Sequence, residues 1–356
     1  MFKGFAIPTV QGRGAGLGNE LLVWGKAYIA AQALGLKPLP PAFGMNARGY
    51  RKYFRTPRYD WIEHRLLTHL LPSDLFTEED YRSRQQMSFA DAVRDFADAR
   101  LLHSKWPLAL GLEGMWGGYS IIAPARDYLR AQLLNSRWTL GNLYALDQRL
   151  TDGVLTVGLH IRRGDFGRPL PLEAYQGRFN VAVPLEWYAK IARSLHSHFG
   201  DRIKFIIVSD APSSTLAPFG TEIPTVFTDD RPYRDISDLL ALSRCDLIVC
   251  SISSYSLWAA FFSRARYIWP AANLTQVDGL ASIWGHEPSQ QPPSGPTARS
   301  ANAVGESIRA DQTRIERGVA VDWDGALPDE LLADLEKTLH LGRPETDLIY
   351  YGVVRS

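Results

Sequence analysis

The sequence predicts an α/β protein whose second half is a doubly wound parallel sheet. Short β-branched runs alternate with segments of helical spacing between residues 154 and 265. Polar residues collect immediately after the ends of those runs, at His160 to Asp165, at Ser209 and Asp210, at Thr228 to Asp230, and at Ser253 to Ser256. Open parallel sheets bind ligands at that edge. The first half opens with the same order of strand, glycine-rich turn and helix.

The elements follow in chain order. FAIPTV is an apolar strand, and LLVWGKAYIAAQALG after the turn has the small and apolar residues of a buried helix. Residues 46–140 mix arginine-rich, aromatic and helical segments, and helices are expected there rather than strands. VLTVGLHI (154–161) is a strand, and PLEWYAKIARSLHSHFG carries Leu185, Tyr188, Ile191, Ala192 and Leu195 at helical spacing behind Pro184, a residue suited to a first turn. KFIIVSD (204–210) and PTVFTDD (224–230) are strands, ISDLLALSRC (236–245) a helix, DLIVCSI (246–252) a strand and SSYSLWAAFFS the helix after it. PSQQPPSGPTARSANAVGES has linker composition, and LPDELLADLEKTLHLG reads as an amphipathic helix with an acidic first turn and a terminal glycine. Domains are expected at 1–150 and 151–285, with 286–356 a proline- and serine-rich linker and helical tail.

Composition limits the partners. The 356 residues are 46% hydrophobic and 22% charged, with a net charge of +1. No global field recruits nucleic acid or an anionic membrane, so any anion site is local. MFKGFAIPTVQGRG lacks the apolar core of a signal peptide, and no run of about 18 apolar residues occurs, so a cytoplasmic location without a transmembrane segment is expected. That leaves peripheral membrane association open. Cys245 and Cys250 sit in an apparent strand, roughly 16 Å apart at about 3.3 Å per residue, too far to bridge.

HIRRGD (160–165) is the segment where chemistry concentrates. Guanidinium offers a planar fork matched to phosphate oxygens, whereas an ammonium acts as a point charge. Along an extended strand Arg162 and Arg163 point to opposite sides, one toward a cleft and the other bracing it. The alternative is an ordinary ion pair with a carboxylate such as Asp165. Ser253, Ser254 and Ser256 open a helix, where hydroxyls, free amides and the helix dipole suit an anion, although one serine suffices to cap it. Gly12, Gly14, Gly16 and Gly18 keep a two-residue rhythm that misses the dinucleotide fingerprint, and GLKPLPPAF stands where its acidic ribose ligand belongs. A nicotinamide or flavin cofactor is therefore not expected. His64, His69, His103, His196, His198, His286 and His340 have no metal-ligand spacing, so no metal is expected. Trp106, Trp116 and Tyr119 suit either a sugar platform or the core.

HIRRGD resembles the His-x-Arg-Arg-x-Asp signature of the fucosyltransferase superfamily that includes the bacterial α-1,2-fucosyltransferases. GLGNELLVWGKAYIAAQALG is similar to that family's N-terminal Gly-Leu-Gly-Asn-Gln segment, FIIVSD to its strand ending in Ser-Asp, and DLLALSRCDLIVCSISSYSLWAAFF to its late serine block. The four blocks cover the first 35 residues and about 154–265, in the family's order. The resemblance implies a GT-B architecture, two Rossmann-like domains facing a cleft. It also implies inverting, metal-independent transfer of fucose from GDP-fucose to a glycan or lipid-linked oligosaccharide acceptor in surface polysaccharide synthesis.

By the same resemblance Arg162 binds the diphosphate, His160 contacts the nucleotide, and Arg163 or Asp165 orients that shell. Gly16, Gly18, Asp210, Ser253, Ser254 and Ser256 complete the nucleotide-sugar set, and Asp229 is the candidate partner of the guanine N–H donors. Asn19 corresponds to the asparagine near sugar and acceptor. Glu20 stands where the α-1,2 enzymes usually have glutamine, and it is either the general base or a favourable charge at a helix N-terminus. Ile252 and Leu257 depart from the family's frequent asparagine and tryptophan.

Overall fold

In the computed structural model, the first strand β1 (Gly4–Thr9) leads to α1 (Leu17–Leu34), a helix that buries most of its length and stops where Gly35 turns left-handed. The structure describes residues 4–9, 16–39, 50–54, 73–84, 86–100, 108–114, 116, 118–150, 153–164, 166, 169–171, 174–175, 181–273, 275–277, 280–282 and 317–341. β2 (Lys37–Pro38), β3 (Ser73–Phe76), α2 (Glu78–Arg82), α3 (Phe89–Arg100), β4 (Leu108–Glu113), α4 (Gly118–Ile121) and α5 (Arg126–Leu134) follow. The four strands make one all-parallel sheet in the order β2-β1-β4-β3.

Two of these strands lie in the stretch from which helices were expected. LALGLE has no β-branched residue, so local preference does not reveal β4. Its Ala109, Leu110 and Leu112 are buried against neighbours on both sides, and that tertiary setting decides the conformation.

α6 (Thr139–Asp147) precedes β5 (Leu155–Ile161), α7 (Leu185–Phe199), β6 (Ile203–Ser209), β7 (Thr225–Phe227), α8 (Asp235–Ser243), β8 (Leu247–Val249), α9 (Ser254–Phe262) and β9 (Arg266–Pro270). A two-stranded pair, β10 (Thr275–Val277) and β11 (Leu280–Ser282), comes next, then β12 (Gly318–Val321) and α10 (Asp329–Leu341). The second sheet is also all parallel, in the order β12-β9-β8-β5-β6-β7. Counted from β5, that is the Rossmann order 3-2-1-4-5-6 reversed end for end. Strands covered on both faces need unbroken apolar runs, and the consecutive residues Phe205, Ile206, Ile207 and Val208 of β6 and Leu247, Ile248 and Val249 of β8 are all buried.

The chain divides into two compact units, Met1–Gln132 with Gln276–Thr313, and Leu133–Thr275 with Arg314–Ser356. α6 therefore belongs to the second unit, and so does the tail, whose β12 supplies an edge strand. Trp187 on α7 donates to the Asp322 carbonyl at 2.9 Å, fastening the tail to the unit's core. Cys245 and Cys250 are both buried thiols. No helix among the described residues is long and apolar enough to cross a membrane.

Candidate functional site

The second sheet changes direction at β5. One run of crossovers proceeds from β5 to β6 and β7, the other from β8 to β9 and β12, so the loops after β5 and β8 diverge and leave a crevice at their carboxyl ends. His160 sits at the end of β5, and the serine segment follows β8.

His160 is 3% exposed, and its Nδ1 lies 2.6 Å from the Ser256 hydroxyl. Ser256 in turn accepts the Ser251 N–H at 2.8 Å. Burial, and secondarily the charge of Arg162, lower the imidazole pKa to about 3, so the ring is neutral at physiological pH. Ser253 caps α9 by accepting the Ser256 N–H at 3.3 Å. Two of the three candidate serines thus have internal tasks, one as cap and one as partner of the histidine, while Ser254 is half-buried on the first turn.

The arginine loop is organised by Asp210, at the end of the neighbouring strand. One carboxylate oxygen accepts the Arg163 N–H at 2.7 Å; the other accepts the Gly164 N–H at 2.7 Å and lies 3.2 Å from Arg162 Nε. A carboxylate receiving two amides and a guanidinium fixes both the loop and the root of the Arg162 fork. Gly164 is required by space: a Cβ there would stand 2.4 Å from Asp210 Oδ2. Arg162 also lies over the Phe166 ring at 5.3 Å, whereas the Arg163 charge acts on the buried hydroxyls of Tyr175 and Tyr188. The two arginines therefore serve different surroundings. Asp165 lies outside the described residues; among those described, Asp210 is a carboxylate paired with Arg162. Ser209 ties the two strand ends together, donating to the Ile161 carbonyl at 2.6 Å and accepting the Ala211 N–H at 3.0 Å.

Asp229 is exposed after β7 and accepts the Ser213 N–H at 2.9 Å. Burial works against its ionisation, yet the Ser213 hydrogen bonds and the Arg234 charge hold its pKa below the ordinary value. Arg234, whose charge acts on Asp229, belongs to a group of residues that sequence reasoning missed. Arg234 donates to the Ser209 carbonyl at 2.9 Å and to Thr228 Oγ1 at 3.4 Å, and it lies 3.5 Å from Asp238. Desolvation pushes Asp238 up to about 7, opposed by Arg234 and by the Thr228 hydroxyl, which donates to it at 3.0 Å. Tyr255, whose ring centroid is 4.8 Å from that of His160, donates to the Asp235 carbonyl at 2.6 Å and joins the first turns of α9 and α8. The available signal was an aspartate on the apolar face of ISDLLAL, four residues after an arginine.

The remaining candidates belong to the first unit. Gly16 precedes α1 with an extended backbone, and its carbonyl accepts the Asn19 and Glu20 N–H groups at 3.0 and 3.2 Å. Gly18 is buried, Asn19 half-buried, and Glu20 only 3% exposed in the helix's first turn. Gly12, Gly14 and Trp106 lie outside the described residues. Nearly two turns beyond Glu20, buried Lys26 donates to the Gly114 carbonyl at 2.6 Å and the Trp116 carbonyl at 3.3 Å, with its ammonium 3.7 Å from the Trp116 ring centroid. Burial lowers its pKa to about 7, with Glu78 opposing. Trp116 stacks on Tyr81 at 5.2 Å and Tyr119 is buried, so both aromatics serve the core. Among the described residues no three His, Cys, Asp or Glu side chains gather as a metal site would require.

No protein-family model and no curated protein matches the sequence. Among solved structures, the chain is similar to NodZ α-1,6-fucosyltransferase soaked with GDP-fucose, at 15% identity and a TM-score of 0.38, over 75% of this chain and 94% of that one. It is similar to selenomethionine fucosyltransferase NodZ from Bradyrhizobium at 15% identity and 0.38, over 73% and 92%. It is also similar to POFUT1 in complex with GDP-fucose at 14% identity and 0.32, over 49% of this chain and 57%, less than two thirds, of that one.

Proposed function

We propose that this chain is a glycosyltransferase of GT-B architecture that moves fucose from GDP-fucose to a glycan hydroxyl. Transfer is inverting and needs no metal, in the manner of the α-1,2-fucosyltransferases that HIRRGD resembles, in cytoplasmic synthesis of surface polysaccharide. The observation that carries this reading is the Asp210 clamp, which presents Arg162 at the switch point of a Rossmann-ordered sheet.

The chemistry follows from charge. The acceptor oxygen attacks the anomeric carbon from the face opposite the diphosphate, the sugar–phosphate bond breaks, and its electron pair leaves on the phosphate oxygen. Arg162 neutralises the charge developing there. A guanidinium about 4 Å from that oxygen contributes roughly 4 kcal/mol at an effective dielectric of 20, and its preset orientation spares reorganisation in the transition state. Neutral His160 contacts the nucleotide by hydrogen bonding rather than by charge. Asp229 accepts from the guanine edge, while Asn19 and Glu20 act on the acceptor side, with Glu20 taking the hydroxyl proton.

A non-catalytic nucleotide-binding protein is the second reading, favoured by the near-complete burial of Glu20. Thermal unfolding with GDP, GDP-fucose, UDP, ADP and CMP, with and without EDTA, tests the donor half, because ligands of the native state raise its melting point. A guanine-selective, EDTA-insensitive rise is expected; a UDP-selective rise overturns the donor assignment. GDP-fucose hydrolysis without acceptor then separates enzyme from binder.

A further inference from the structure

Two non-glycine residues among those described hold a left-handed backbone, Trp138 at φ 69° and Tyr233 at φ 52°. They are stacked on each other, with ring centroids 4.1 Å apart and planes 19° from parallel. Bulky side chains rarely occupy that region, and such strain persists only where surrounding contacts over-determine it. Trp138 is the residue before α6, and Tyr233 lies two residues before α8.

The stack begins a continuous seam. α6 and α8 run side by side in the same direction. At the stacked end, Asn142 donates to the Pro232 carbonyl at 3.2 Å and to the Ser237 hydroxyl at 3.1 Å, and its carbonyl accepts from Arg231 at 2.9 Å. At the far end Arg244 holds Asp147 with bonds of 2.7 and 2.8 Å. Arg149, just past α6, donates to the Phe227 carbonyl at 2.9 Å and to Asp230 at 3.2 Å. The whole loop from β7 to α8 is therefore gripped from one side. Its far end reaches the candidate site, since Arg234 bonds the end of β6 and the Asp235 carbonyl holds Tyr255, the neighbour of His160.

We propose that Trp138 is a positioning residue for the nucleoside side of the site. Through Tyr233 it holds residues 228–235, including Asp229 and the first turn of α8, in the conformation that nucleotide binding requires. The proposal rests on the donor reading above, and it separates two parts of that donor: the diphosphate depends on the Asp210 clamp and the nucleoside on the Trp138 seam.

The test compares full-length wild type with Trp138→Ala, Trp138→Phe and Tyr233→Asn; asparagine tolerates the left-handed backbone without supplying the ring. Hydrogen exchange without ligand and calorimetric titration with GDP and with inorganic pyrophosphate are measured for each. In Trp138→Ala and Tyr233→Asn, amides 228–235 exchange at least 10-fold faster and GDP binds about 10-fold more weakly, while pyrophosphate affinity stays within 2-fold; Trp138→Phe restores the wild-type pattern. If Trp138→Ala does not fold, Tyr233→Asn and Trp138→Phe decide. Unchanged exchange and GDP affinity overturn the proposal, as does equal weakening of both ligands, which marks a merely structural residue. If wild type binds no guanine nucleotide, the donor reading fails and the positioning role falls with it, whereas normal exchange in the variants removes the seam alone.

Discussion

Replacing Gly164 with alanine separates the geometry of the arginine loop from its charge. The new Cβ would stand 2.4 Å from Asp210 Oδ2, and ordinary contact begins at 3.4 Å, so the carboxylate must retreat by about 1 Å. Bonds of 2.7 Å to the Arg163 and Gly164 amides then pass out of useful range together with the 3.2 Å contact to Arg162. A hydrogen bond to a charged group contributes about 1.5–3 kcal/mol. Asp210 and Arg162 side chains are 23% and 30% exposed, so water recovers part of the loss. The expected destabilisation is about 2–3 kcal/mol, or a fall in Tm of about 4–12 °C for a domain of this size class. The net charge of the loop is untouched, so weaker nucleotide binding reports lost orientation: GDP Kd rises about 10-fold, equivalent to about 1.4 kcal/mol. Asp210→Asn is the complement. An amide in either orientation sets a donor against one of the two amides, giving a similar fall in Tm, but it removes a negative charge beside Arg162 and so weakens GDP less. Differential scanning calorimetry and titration calorimetry read both quantities. A Gly164→Ala protein that melts within 1 °C of wild type and binds GDP equally well would refute the clamp.

Three further outcomes are expected. Arg162→Ala lowers transfer or donor hydrolysis by at least about 100-fold with an unchanged circular dichroism spectrum, as expected for a main source of transition-state charge stabilisation; near-normal turnover by the folded variant sinks the assignment. Glu20→Gln lowers the transfer rate by about 100-fold or more while GDP affinity stays at the wild-type value, in the range general-base loss produces; an unaltered rate makes Glu20 a buried structural carboxylate. Lys26→Met removes a pH dependence. The folded pKa of Lys26, about 7, lies below the unfolded 10.5, so the unfolded chain holds more protons between those limits and wild-type stability gains up to about 1.4 kcal/mol per pH unit as pH rises through them. Below pH 7 the burial penalty is fully present. Denaturant titrations from pH 7 to 10 check this, and parallel curves for wild type and Lys26→Met would contradict it.

The second sheet was legible because its strands are buried on both faces. TVGLHI, KFIIVS and DLIVCS announce themselves as apolar β-branched runs, and parallel strands need such runs whatever their order. The strand order itself was not legible. Nothing in GVAV indicates that residues beyond a long proline-rich stretch return to pair with β9. β3 and β4 were hidden for the opposite reason, since SDLF and LALGLE lack β-branched residues and become strands through their neighbours.

At the site, sequence reasoning located the polar clusters but could not divide them between ligand and scaffold. A strand end bearing Ser-Asp looks the same whether its aspartate faces a ligand or the neighbouring loop. Here Asp210 faces the loop, its oxygens 2.7 Å from each of two amides forty-six and forty-seven residues away. The same ambiguity applies to the serines, where one hydroxyl caps α9 and another holds His160. It applies most sharply after β7. Asp229 sits at the strand end where a ligand-binding carboxylate is expected, and it is exposed and held ionised. Asp238, inside a helix rather than at a strand end, is 5% exposed, held by Arg234 and Thr228, and pushed up to about 7. A carboxyl in that state can donate as well as accept, whereas Asp229 can only accept. Guanine presents adjacent N–H donors on one edge, which an ionised carboxylate suits. Asp229→Asn therefore carries more information about base selection than any change at Asp238, where removing the carboxyl also releases Arg234 from its place between β6 and β7.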